Sequence, residues 1–252
     1  MRRFFYDQTN LLEVGKAIPL TDDIFHHWCK VLRASLGDTA LLFDGTGGEY
    51  TATITDIDKK TALVKVENFN PINRNLPFLV DIGLVMSRGE RMDYAIQKAT
   101  EMGVHRIHLL TSQHGEVRLK PDQIAKKVGH WQSVVIAACE QCGLNLVPQI
   151  IPPITIIDFI QNLFEPERDK TLHKLVLAVP DDTANGESFN PKNVNFNNSH
   201  FCLLIGAEGG LSSAEVNLAL QQGFLPWQIG ERVLRTETAP VVALASLQAW
   251  AI

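Results

Sequence analysis

The chain has 252 residues, 45% hydrophobic and 20% charged, with a formal net charge of −5. That is an ordinary globular composition, long enough for one large domain or two smaller ones with real cores. It holds no apolar run of about 18 residues and no cleavable signal pattern, so no membrane span is expected and the cytoplasm is the expected location.

Residues 1 to about 70 read as β-rich. "DDIFHHWCKVLRASLGD", Asp22 to Asp38, predicts one short helix ending near Gly37. "TALLFDGTGGEYTATITDI" alternates apolar and polar residues on both sides of "DGTGG", a hairpin signal, and "TALVKVENF" supplies another strand. So small a set of strands suggests a compact barrel. The composition of "NFNPINRNLP", Asn68 to Pro77, is that of a linker, and the pattern changes after it.

"FLVDIGLVMS" predicts a strand, followed by a helix with Met92, Ala95, Ile96, Ala99 and Met102 on one face and Gly103 as its stop. "VHRIHLLT" is a strand. From Pro121, Ile124, Val128, Trp131, Val135, Ala138 and Cys142 recur at helical spacing until Gly143. "LHKLVLAVP", "HFCLLIG" and "PWQIG" are three further short strands, and the polar span from Glu165 to Ser199 reads largely as surface loop. Alternation of strands and helices from residue 78 onward predicts an α/β domain with a mainly parallel sheet.

Charge is unevenly spread. Met86 to Lys127 carries eight basic residues against five acidic ones, whereas the chain beyond is acidic. A basic face for nucleic acid and plain solvated helix faces are equally open on that ground. Four scattered cysteines, Cys29, Cys139, Cys142 and Cys202, suit a reducing compartment, and Cys139 with Cys142 forms a CxxC with no second pair to complete a metal site.

No GxxxxGK[ST], early GxGxxG or GxSxG occurs, which argues against nucleotide triphosphate hydrolysis, ordinary dinucleotide binding and serine esterase chemistry. Two late loops draw attention instead. In "LLIGAEGGLSSAEV" an apolar strand ends in glycines, and Ser212 with Glu215 forms a capping box that starts a helix near Ser213. "IGERVLRTETAP" again lies between a short strand and an apolar helix. Glycine-rich loops at strand ends are where open α/β sheets bind ligands, because backbone amides can approach closely. The final "PVVALASLQAW" is apolar nearly all round and must be buried, against another subunit or in the core.

Six stretches together carry a family resemblance over essentially the whole chain: "HHWCKVLRASLGD", "FDGTGGEY", "VMSRGERMDYAIQKATEMGV", "WQSVVIAACEQCG", "LLIGAEGGLSSAE" and "ERVLRTETA". They resemble the RsmE family, bacterial enzymes that methylate a uridine at N3 in small-subunit ribosomal RNA. The resemblance implies a PUA-like RNA-binding β-barrel, residues 1–72. A SPOUT-type α/β methyltransferase domain with a C-terminal trefoil knot would follow, residues 73–252. It also implies homodimers formed through the C-terminal domain and S-adenosylmethionine bound in the knot.

By that resemblance the cofactor would be held by Pro180 in a first loop. Leu204, Gly206, Glu208, Gly209 and Gly210 would hold it in a second. Ile229, Gly230, Val233, Leu234, Arg235, Thr236, Thr238 and Ala239 would do so in a third. Arg235 with Glu208 and Glu237 would serve catalysis. RNA, free or in the assembled small subunit, would meet Arg2, Arg3 and Arg33 and also Arg88, Arg91 and Lys98. No metal is expected. The chain departs from the family pattern at Ala207, where a proline is common, and at Leu144, where an arginine is frequent. A non-catalytic RNA-binding assembly factor and a SPOUT enzyme acting on another RNA are the alternatives.

Overall fold

The computed structural model describes residues 1–8, 11–163, 165–166, 170–177 and 188–251, which fall into two units. The first joins Met1–Asn75 to a later segment, Cys139–Val147; the second comprises Leu76–Ala138 and Pro148–Ile252.

Five strands build the first unit: β1 (Arg2–Phe5), β2 (Ala17–Pro19), β3 (Thr39–Phe43), β4 (Glu49–Ile57) and β5 (Ala62–Asn70), in the order β1-β3-β4-β5-β2. β3 and β4 form the predicted hairpin, and Asp44 Oδ1 ties its turn by accepting from the Thr46 amide at 3.0 Å. Inward residues of every strand, among them Phe4, Ile18, Leu42, Ile54 and Val64, make one core with Phe25 and Trp28. β1 and β2 were not anticipated because their short runs show too little alternation to stand out.

The predicted helix is shorter than its sequence pattern. α1 (Asp22–Ile24) runs directly into a π-helical segment, Phe25–Val31, and Arg33 then takes a left-handed φ of 57°. That conformation ends the helical run well before Gly37, since a side chain rarely continues a helix from there.

Cys139–Val147 completes this unit through specific bonds. Glu140 Oε1 accepts from the Phe5 amide at 3.0 Å, and Asn145 Nδ2 donates to the Ile72 carbonyl at 3.0 Å. Buried Glu49 is ion-paired with both Arg3 and Arg74, and Arg74 also donates to the Gly143 carbonyl at 3.0 Å. Burial pushes the Glu49 carboxyl up, but hydrogen bonds from Arg74 and Arg3 outweigh it and hold the group below its ordinary value. Arg3 is therefore corrected as an RNA contact: its side chain is 10% exposed and is committed to Glu49 and, at 2.6 Å, to Asn145. Leu144 is buried, and its carbonyl accepts from Arg3 at 3.3 Å.

The second unit is a six-stranded sheet in which every pairing is parallel. β6 (Leu79–Val85), β7 (Arg106–Thr111), β8 (Gln149–Thr155), β9 (Thr171–Leu177), β10 (Ser199–Ile205) and β11 (Leu225–Trp227) lie in the order β11-β9-β10-β6-β7-β8. β10 is buried at every residue, as an interior strand covered on both faces should be. β8 escaped sequence reading because Pro152 and Pro153 argue against a strand; it is tolerated as an edge strand pairing with β7 alone.

Helices α2 (Glu90–Glu101), α3 (Pro121–Cys142), α4 (Ile156–Gln161), α5 (Ser213–Gln221) and α6 (Ala239–Ala251) connect and cover the strands. α2 buries Met92, Ala95, Ile96 and Ala99 as its spacing predicts, and α3 stops before Gly143, which takes a φ of 92°. α4, unforeseen, is a short helix capped by Thr155. It packs so close to β6 that a Cβ on Gly83 would lie 2.6 Å from the Phe159 ring.

At the amino ends of the central strands one carboxylate collects an arginine and several histidines. Asp81, fully enclosed on β6, meets Arg106 Nη2 at 2.7 Å, His105 Nδ1 at 3.0 Å and His200 Nε2 at 3.3 Å. Burial raises its affinity for a proton, yet the bonds from the three histidines, His108 included, and from Arg106 prevail and hold the carboxyl far below the usual range.

Candidate functional site

The carboxyl ends of β9, β10 and β11 form a very different surface. β10 leaves the sheet at Ile205 and enters Gly206, whose missing side chain is a packing requirement. A Cβ there would come within 3.1 Å of the Gly210 backbone and of Leu211. Ala207 and Gly210 pair across the tight loop, the Gly210 amide donating to the Ala207 carbonyl at 2.9 Å with Gly210 at a φ of 73°. An alanine at 207 is compatible with this backbone-defined turn. The Ser212–Glu215 capping box forms as predicted and starts α5 at Ser213. Glu215 Oε1 also accepts from the Gln113 amide at 2.9 Å, anchoring the loop to the segment after β7.

The second loop runs from Gln228 to Thr238. Gly230 takes a φ of 78°, Gln228 Nε2 donates to its carbonyl at 3.0 Å, and the Arg235 carbonyl accepts from the amides of Thr238 and Ala239 to start α6. Between the two loops lies a cleft of about 330 Å³. That falls in the range of small-molecule sites.

Of the residues expected to hold a cofactor, Gly206, Glu208, Gly209, Gly210, Ile229, Gly230, Val233, Leu234, Thr236 and Ala239 line this cleft. Leu204, Arg235 and Thr238 do not: Leu204 is buried inside the sheet, and the Arg235 side chain is 77% exposed. Pro180 lies outside the described residues. Sequence reading missed the apolar wall supplied by Val176 and Leu177 of β9 and by Pro226 and Trp227 of β11. The signal was available, since parallel strands end their apolar runs on the ligand side of the sheet.

The polar groups here are incompletely satisfied. Thr236 Oγ1 and Glu237 Oε2 are buried without a hydrogen-bond partner among the described residues. Buried polar atoms seldom go unpaired, and Thr236 lines the cleft, so its hydroxyl marks a place for a ligand's polar group; Glu237 is not among the lining residues. Glu237, 14% exposed, keeps its other oxygen 3.9 Å from Arg235, while Glu208 is ion-paired with Arg91 of α2. His114 Nδ1 lies 3.1 Å from the Gly209 carbonyl.

The remaining candidate cations divide. Arg2 and Arg33 are exposed on the first unit. Arg88 is 3.1 Å from Glu116, and Lys98 is 2.8 Å from Glu101, so both share their charge with an acid, as Arg91 does. Arg118, Lys120, Lys126 and Lys127, not singled out by sequence as RNA contacts, are exposed and form no ion pair among the described residues. Among the described residues, no helix is long and apolar enough to cross a membrane.

Comparison with known proteins places this geometry. Residues 74–248 match the family model of an RNA methyltransferase domain, and residues 20–67 match that of an RNA methyltransferase PUA domain. The chain is 34% identical over 239 residues to the ribosomal RNA small subunit methyltransferase E of Buchnera aphidicola subsp. Schizaphis graminum, covering 94% of this chain and 92% of that one. A solved ribosomal RNA small subunit methyltransferase E from Neisseria gonorrhoeae, bound to S-adenosyl methionine, superposes with a TM-score of 0.86. It is 30% identical, over 99% of this chain and 97% of that one. A Legionella pneumophila protein solved in complex with the cofactor SAM gives a TM-score of 0.85 at 33% identity, over 98% and 96% of the two chains.

Proposed function

Since the chain belongs to the ribosomal RNA small subunit methyltransferase E family, we propose that it transfers a methyl group from S-adenosylmethionine to N3 of one uridine in small-subunit ribosomal RNA. The observation that carries this reading is the cleft at the strand ends, walled on one side by Gly206–Leu211 and on the other by Ile229–Ala239.

The residues present fit the cofactor. Trp227 and Leu177 offer an apolar wall for a purine, the glycine loop brings backbone groups within reach, and Thr236 Oγ1 is an unused donor and acceptor. When bound, S-adenosylmethionine supplies a methyl group on a positively charged sulfur. The protein must then place uridine N3 in line and remove its proton as the N–C bond forms, leaving the sulfur as a neutral thioether. Positioning alone can contribute roughly 7 kcal/mol or more. Glu237 is the proposed proton acceptor, because its Oε2 is buried with no hydrogen-bond partner among the described residues whereas Glu208 is engaged by Arg91. Exposed Arg235 would reach outward to stabilise the uridine anion or its phosphate.

The finer architecture is part of the proposal. Phe4 of β1 and Ile18 of β2, the two outer strands of the first sheet, share one core, which supports closure into a PUA-like barrel. β11 follows β10 in the chain yet returns beside β9, and α6 then follows the second loop; this ordering supports a SPOUT-type trefoil knot. α6 has almost no polar residues but leaves Trp250 49% exposed, which supports a homodimer through that helix. The protein would work in the cytoplasm, where small subunits are assembled.

Isothermal titration with S-adenosylmethionine tests the cofactor site. Micromolar binding is expected for the wild type and none for Gly209→Trp, whose side chain would fill the loop beside His114. Methylation of unmodified small subunits tests the reaction. Arg235→Ala should abolish turnover with the fold intact, and full activity in that variant would remove Arg235 from the mechanism.

A further inference from the structure

A second cleft, of about 680 Å³, opens at the carboxyl ends of β6, β7 and β8, between the amino ends of α4 and α5 and the segment after β7. It is separate from the donor cleft. On α5, Val216 and Leu220 face the donor side, while Ala214, Glu215 and Leu218 face the second cleft. At about 100° per residue these two sets lie on opposite sides of the helix.

Three features describe what the second cleft would take. It is lined by the apolar residues Ile124, Pro153, Ile156, Ile157 and Leu218. Within it Ser112, only 7% exposed, holds a hydroxyl with no hydrogen-bond partner among the described residues. Arg118 stands on its wall, exposed and in no ion pair among the described residues, with Lys120, Lys126 and Lys127 following in the chain. The one acid in the lining, Glu215, is already occupied by the amides of Gln113 and Ser212, at 2.9 Å and 2.8 Å. An apolar surface, one buried hydrogen-bonding group and a cation in no ion pair among the described residues suit the face, the edge and the phosphate of a nucleotide.

We propose that this cleft receives an unpaired nucleotide of the substrate RNA flanking the target uridine, its base against Ile156, Ile157 and Leu218, its edge on Ser112 Oγ and its phosphate on Arg118. The assignment rests on the reading that the chain acts on small-subunit RNA. It makes the loop from Gly206 to Ser212 a ridge that RNA straddles, with one base turned to each side. Target choice would then depend on two splayed nucleotides rather than one.

The test is equilibrium binding of purified, unmethylated small ribosomal subunits, measured across a salt series beside S-adenosylmethionine titration. Ile157→Trp fills the cleft from a position already 49% exposed, so the fold should hold. It should weaken subunit binding at least tenfold and leave cofactor affinity unchanged. Arg118→Ala should weaken binding and lower the salt slope by about one, the loss of a single phosphate contact, and Arg118→Lys should restore that slope. Subunit binding within twofold of wild type in both Ile157→Trp and Arg118→Ala would overturn the assignment. Wild-type protein that binds subunits without methylating them would defeat the proposed reaction but leave this contrast readable. Failure of the wild type to bind subunits would defeat both.

Discussion

The two ends of the parallel sheet treat buried polarity in opposite ways. At the amino ends Asp81 is enclosed and surrounded by Arg106, His105 and His200 at 2.7–3.3 Å. At the carboxyl ends Thr236 Oγ1, Glu237 Oε2 and Ser112 Oγ are buried with no partner among the described residues. The Asp81 carboxylate is satisfied from within the protein, whereas the three atoms at the other end have no hydrogen-bond partner among the described residues. The contrast sets a polar group satisfied within the fold against the polar groups proposed here to serve binding, although both are buried.

The largest effect should come from breaking the satisfied group. Asp81→Asn would leave Arg106 and the histidines without their anion and should cost about 3–5 kcal/mol in a denaturant titration. Cofactor affinity of the folded fraction should stay within twofold. A loss below about 1 kcal/mol would dissolve the contrast.

Next, Gly206→Val should do the reverse. Its side chain would crowd the Gly210 backbone, weakening S-adenosylmethionine binding at least a hundredfold, about 2.8 kcal/mol by titration, with a stability cost of about 1–3 kcal/mol, smaller than that of Asp81→Asn.

Acid sharpens the comparison further. Asp81 in the folded protein ionises far below the value near 3.9 of an unfolded aspartate, so its contribution is present above about pH 4 and lost as pH falls. Stability should decline there by up to about 1.4 kcal/mol per pH unit for this group, and Asp81→Asn should flatten that part of the profile.

Smaller effects follow. Ser212→Ala removes the α5 cap and should cost about 1 kcal/mol. Arg88→Ala breaks an exposed pair with Glu116 and should change stability by less than about 1 kcal/mol.

Sequence made the ligand end far more legible than the other. Glycines, the Ser212–Glu215 box and the "RVLRTETA" run announce themselves locally, and most of the cofactor residues that the family resemblance implied do line the cleft. Of the exceptions, Leu204 is buried within β10, and Arg235 and Thr238 lie in a loop whose sequence does not encode side-chain direction. Asp81, His105, Arg106 and His200 come from three strands and meet only through sheet order, so nothing in the chain's local pattern pointed to them. The same holds for Arg3, which read as a surface cation until Glu49 and Asn145 enclosed it. β8 shows a third kind of failure, in which two prolines hid a strand that needs only one neighbour.

Cys139–Val147 belongs to the first unit although the chain reaches it only after building much of the second. During synthesis at about 5–20 residues per second, that segment emerges roughly 4–14 s after Asn75. Until then Arg3 and Arg74 lack their carbonyl and amide partners in that segment, and the Phe5 amide waits for Glu140. The amino-terminal unit is thus first in order of translation but finishes late, and chaperones would meet it in an unfinished form for seconds on every nascent chain.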